Sequence, residues 1–112
     1  ETGYEVHLAL EREKWGAEFW TDEECTKKDY EEIKESDLIV AYFDGTFSGG
    51  VHVELGWASE MKKNIIIITN KKDNLCSLIK GIGIVSNCSF IEFDKPEEIF
   101  EKLKQEILTW KN

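Results

Sequence analysis

Two short apolar runs constrain the fold of this chain more than any other feature. Residues 38–43 read LIVAYF and residues 65–69 read IIIIT. Both are far too short to cross a membrane as a helix. A strand with one face in water alternates apolar and polar residues. A strand covered on both faces is apolar throughout, as in a parallel sheet sandwiched between helices. The flanking segments supply those helices. Thr21 and Glu24 form a capping box that opens a helix over 22–35. Further helices are expected over 51–62 and over 96–110. The last opens at Pro96 and carries Ile99, Phe100, Leu103, Ile107 and Trp110 on one stripe. Shorter strands are expected at 4–9 and 89–93, and a short helix at 75–79. Strands alternating with helices predict an α/β fold with a doubly wound parallel sheet and helices on both faces.

The 112 residues suffice for one domain, spanning 1–112, and a 41% hydrophobic content suffices for one core. The formal net charge of −9 repels a phosphate backbone, so a nucleic acid polymer is a poor partner. A single small phosphate held by backbone amides remains compatible with it. Cys25, Cys76 and Cys88 are odd in number and widely spaced, which supports neither a disulfide framework nor a metal site. With no signal peptide and no membrane-spanning run, the expected location is cytoplasmic, away from any membrane. The chain opens on Glu-Thr-Gly-Tyr, which reads as a helix end leading into a strand. An initial strand and helix are therefore expected to be lacking.

Residues 44–62 (DGTFSGGVHVELGWASEMK) carry the strongest chemical signal. They follow the carboxyl end of a buried strand, where open α/β sheets place their ligands. Gly49 and Gly50 let a ligand approach the backbone, and the helix behind them offers free N–H groups to an anion. On a helix starting near Val51, the inward stripe is Val51, Leu55, Ala58 and Met61, with Glu54 alongside it. A carboxylate there is partly desolvated yet close to a helix N-terminus that favours its charge, conditions that suit a nucleophile. Asp29 is the second anomaly, because it shares an apolar stripe with Cys25 and Ile33. His7, alone in a strand, reads as structural. His52 stands two residues before Glu54 and is a candidate for the pocket wall. Trp15 is a candidate for stacking on a flat base.

Residues 48–59 (SGGVHVELGWAS) resemble the signature helix of the nucleoside 2-deoxyribosyltransferase superfamily. Residues 29–43 (DYEEIKESDLIVAYF) fit the helix and strand that precede it in that group. The closest resemblance is to the nucleoside 5′-monophosphate N-glycosidases. It implies a flavodoxin-like sheet lacking its first strand and helix, a homodimer or higher homo-oligomer, and no cofactor or metal. It also implies that Glu54 is the nucleophile and that Asp29 arranges the sugar. Six residues before the glutamate, the transferases carry an aspartate and the hydrolases a phosphate-binding serine; here it is Ser48. A second phosphate-binding serine, donated by the neighbouring subunit in those hydrolases, falls near Ser77. The expected activity is hydrolysis of the bond between base and sugar in a nucleoside or nucleoside 5′-monophosphate. The alternatives are a nucleoside 2-deoxyribosyltransferase and a non-catalytic nucleotide-binding or signalling module. A phosphoacceptor receiver is disfavoured, because its early acidic cluster is not visible.

Overall fold

The structure, a computed structural model, describes residues 6–9, 20–43 and 49–111, without the side chains of residues 110 and 111. Four strands form one parallel sheet: β1 (Val6–Ala9), β2 (Leu38–Phe43), β3 (Asn64–Thr69) and β4 (Cys88–Glu92), in that spatial order. Helix α1 (Asp22–Glu35) joins β1 to β2, and α2 (Gly49–Glu60) joins β2 to β3. The short α3 (Ser77–Lys80) precedes β4, and α4 (Ile99–Lys111) follows it. The fold is α/β and flavodoxin-like. β1 pairs directly with β2, from Val6 opposite Leu38 to Ala9 opposite Ala41. A complete flavodoxin-like sheet has its first strand at that position.

The two apolar runs occupy the centre of the sheet because both of their faces are covered. On one face, Ile39, Ala41, Phe43, Ile65 and Ile67 pack under Ile33 of α1 and Val51, Leu55 and Ala58 of α2. On the other, Leu38, Val40, Ile66 and Ile68 pack under α4 through Ile99, Leu103 and Ile107. Successive right-handed crossovers in one direction place α1 and α2 on the same side. Each fully buried Ile or Leu contributes about 1.5–3 kcal/mol. The capping box of α1 forms as expected: Thr21 Oγ1 accepts from the Glu24 amide, and Glu24 accepts from the Thr21 amide.

Three expectations need correction. Phe100 is 74% exposed and not on the packed stripe. α4 meets the sheet through one ridge of four-residue steps, Ile99, Leu103 and Ile107, whereas the ridge of Phe100 continues through the exposed Lys104. The short helix expected at 75–79 forms as α3 but starts two residues later, at Ser77, after a separate 3₁₀ turn at Lys72–Asn74. Finally, α2 begins at Gly49, so both glycines lie inside its first turn. That helix ends in a Schellman arrangement: Lys62 takes φ 61°, and the amides of Lys63 and Lys62 donate to the carbonyls of Ala58 and Ser59.

Candidate active site

α2 is fixed to the sheet by Val51, Leu55 and Ala58, all essentially without solvent contact. Glu54 lies one residue from this stripe and is only 8% exposed. The start of α2 at Gly49 puts Glu54 in the second helical turn, and the first turn holds no acidic residue. The helix dipole acts mainly within the first turn, so it is not the main partner of this carboxylate. That partner is His7. The alternation of β1 points Val6 and Leu8 to one face and His7 and Ala9 to the other, beneath α1 and α2. His7 is 3% exposed. Its Nε2 lies 3.0 Å from Oε1 of Glu54, and its Nδ1 lies 3.2 Å from Oε1 of Glu32 in α1. A neutral imidazole has one donor and one acceptor, so only the protonated ring donates to both carboxylates.

The electrostatics agree with that assignment. Burial pulls the His7 pKa down. The hydrogen bond and charge of Glu54, then the charges of Glu32 and Asp29, push it up, and the net direction is up. A basic group whose folded pKa exceeds its unfolded value adds stability at low pH and loses it as pH rises through the folded value. The contribution of His7 is therefore complete below its ordinary value of 6.5 and lost on the alkaline side. Melting temperatures measured from pH 5 to 9 should fall above neutrality more steeply in the wild type than in His7→Gln. Parallel slopes would show that the imidazole is not charged in the folded protein.

The seam between α1 and α2 is held on its outer side by Tyr30 and Trp57, whose rings meet edge-to-face at 5.2 Å. An open pocket of about 470 Å³ reaches His7, lined also by Val6, Glu32, Glu35 and Ser36. Among the described residues, no group of three or more His, Cys, Asp or Glu side chains is arranged to hold a metal ion. The Cys88 thiol is pushed up to about 11 by burial, which leaves it protonated and unreactive at neutral pH.

The structure brings some of the candidate residues together and separates others. Asp29 is half-buried on α1, three residues before Glu32, and its charge reaches His7. Gly49 and Gly50 are exposed, and a side chain built on Gly50 would meet nothing within 4 Å. His52 is half-buried with its ring edge-on to Phe43 at 5.5 Å. Ser77 is exposed at the first position of α3. Ser48 and Trp15 lie outside the described residues. Sequence reasoning missed His7 and Glu32 as site residues. The available signal was the three-residue step from Asp29 to Glu32, which places two carboxylates on one helix face.

No protein-family model and no curated protein matches the chain. Solved structures do match it. The CMP N-glycosidase BcmB of Clostridium botulinum superposes with a TM-score of 0.78 at 34% identity, over 90% of this chain and 98% of that one. The solution structure of BlsM superposes with a TM-score of 0.61 at 36% identity, over 78% of this chain and 55% of BlsM. The chain thus spans about half the length of BlsM.

Proposed function

Because the chain belongs to the nucleoside 5′-monophosphate N-glycosidases of the nucleoside 2-deoxyribosyltransferase superfamily, we propose that it hydrolyses the bond between base and sugar in a nucleoside 5′-monophosphate, with Glu54 as nucleophile. The observation that carries this reading is the desolvated Glu54 carboxylate, with Oε1 engaged by His7, in a chain 34% identical to a CMP N-glycosidase. With Oε1 held, Oε2 is the oxygen that attacks the anomeric carbon. The electron pair of the C1′–N bond passes to the base, which takes up a proton and leaves. Water then cleaves the glycosyl ester, restoring the carboxylate and releasing the sugar 5-phosphate. The net change consumes one water per nucleotide.

Ser48 and the amides of Gly49 and Gly50 hold the 5′-phosphate in this reading. The first helical turn carries no competing carboxylate, and its N–H groups lack intrahelical partners. Ser48, where the transferases carry an aspartate, favours a hydrolase that takes a phosphorylated sugar. Asp29 orients the sugar, His52 lines the rim, Trp15 stacks on the base, and Ser77 reaches the phosphate from a second copy of the chain in a homodimer or higher homo-oligomer. The test is product analysis by mass spectrometry on ribo- and deoxyribonucleoside 5′-monophosphates, CMP included, and on the free nucleosides. Free base and sugar phosphate from the wild type, but not from Glu54→Ala, are expected. Equal release from both rejects Glu54, and a new nucleoside on adding a second free base identifies a transferase.

A further inference from the structure

We propose that Glu32 is a positioning residue for this reaction, acting through His7: it anchors Nδ1 so that Nε2 stays on Oε1 of Glu54 and Oε2 remains free to attack. The inference rests on the hydrolase reading and assigns the group that keeps its nucleophile in place. The side chains form a line of alternating charge from the surface inward. Lys28 Nζ lies 3.5 Å from Oε2 of Glu32, Oε1 of Glu32 lies 3.2 Å from Nδ1 of His7, and Nε2 of His7 lies 3.0 Å from Oε1 of Glu54. The backbone that carries Glu32 is fixed too, since Ser36 Oγ donates to the Glu32 carbonyl at 2.6 Å.

Among the described residues, the charged groups facing His7 are Glu54 from α2 and Glu32 and Asp29 from α1, and Glu35 lines the same pocket. Its register partner on β2, Ile39, is apolar. On α1, Glu32 lies within hydrogen-bond distance of the ring. The chemistry makes this second carboxylate necessary. When Glu54 becomes a glycosyl ester it loses its charge, and a buried imidazolium without a counter-ion is costly. Glu32 keeps His7 paired through that step. Its effect should therefore fall on kcat rather than on substrate binding.

The experiment combines ¹⁵N-imidazole titration with pH–rate profiles for the wild type and Glu32→Gln. The chain has two histidines, and His52→Gln identifies the other ring. Gln at position 32 keeps a carbonyl to accept from Nδ1 but removes the charge, and the partly exposed site tolerates the change. In Glu32→Gln the His7 midpoint should move to lower pH while that of His52 stays. The alkaline limb of kcat/KM should move down with it, and kcat should fall about tenfold with KM nearly constant. A stationary His7 midpoint overturns the proposal, as does a shifted midpoint with an unchanged pH–rate limb. If the wild type turns over no nucleotide, the hydrolase reading fails together with this role. The titration alone then still reports whether Glu32 and His7 are coupled.

Discussion

Glu54→Gln is expected to lower kcat/KM for the best nucleoside 5′-monophosphate by about four orders of magnitude while the protein remains folded. An amide oxygen is far too weak a nucleophile to open a glycosidic bond, and Gln occupies nearly the same volume. Substrate affinity should survive, because the contacts proposed for the phosphate and base involve other residues, so calorimetry with intact nucleotide should give a Kd close to the wild-type KM. The structural cost is local. The introduced Gln carbonyl can still accept from Nε2 of His7, Nδ1 retains Glu32, and weakening a single buried hydrogen bond costs about 1–3 kcal/mol. Removing the Glu54 charge also removes a major influence that raises the His7 pKa, so the imidazole should titrate at lower pH in this variant. Residual activity above a tenth of wild type would mean that another group attacks the sugar. Loss of binding along with turnover would mean that Glu54 supports the pocket rather than the reaction.

How much of this was legible in the sequence depends on how far apart the interacting residues lie. β2 and β3 were evident because a strand buried on both faces is apolar at every position, and both occupy the centre of the sheet. The start of α1 was evident because its capping box spans three residues. The partial burial of Glu54 followed from its spacing to Val51 and Ala58 on one helix. The groups holding Glu54 could not be derived in this way. The contact between His7 and Glu54 spans 47 residues, and that between His7 and Glu32 spans 25. Both exist only because β1 lies directly beside β2, a matter of sheet order that no local pattern encodes. A lone histidine in the strand expected at 4–9 therefore reads as structural. The start of α2 was placed two residues late because Gly49 and Gly50 read as loop, although glycine is tolerated in a first turn whose amides have no helical partner. That offset moved Glu54 from the first turn to the second and shifted its stabilising partner from the helix dipole to an imidazole.

Leu55→Ala should produce the opposite phenotype one residue away on the same helix. Leu55 is fully buried and belongs to the cluster that seats α2 on Ile39, Ala41, Ile65 and Ile67. Truncating it removes three carbons from a packed interior and leaves a cavity, at a cost of about 3 kcal/mol. For a domain of this size that corresponds to a fall in melting temperature of roughly 12 °C or more. The pairing of His7 with Glu54 does not run through Leu55, so kcat measured well below the melting transition should stay within about tenfold of wild type. The volume-conserving Leu55→Met should recover most of the stability, losing less than about 1.5 kcal/mol. A thermal scan and a low-temperature assay on the same preparations test both halves. If Leu55→Ala lost activity as completely as Glu54→Gln while still folded, the seat of α2 would control the geometry of the nucleophile more tightly than His7 does. The site would then depend on packing before charge. If Leu55→Ala melted near the wild type, α2 would be held to the sheet mainly by Val51 and Ala58, and the burial of Glu54 would rest on those two side chains instead.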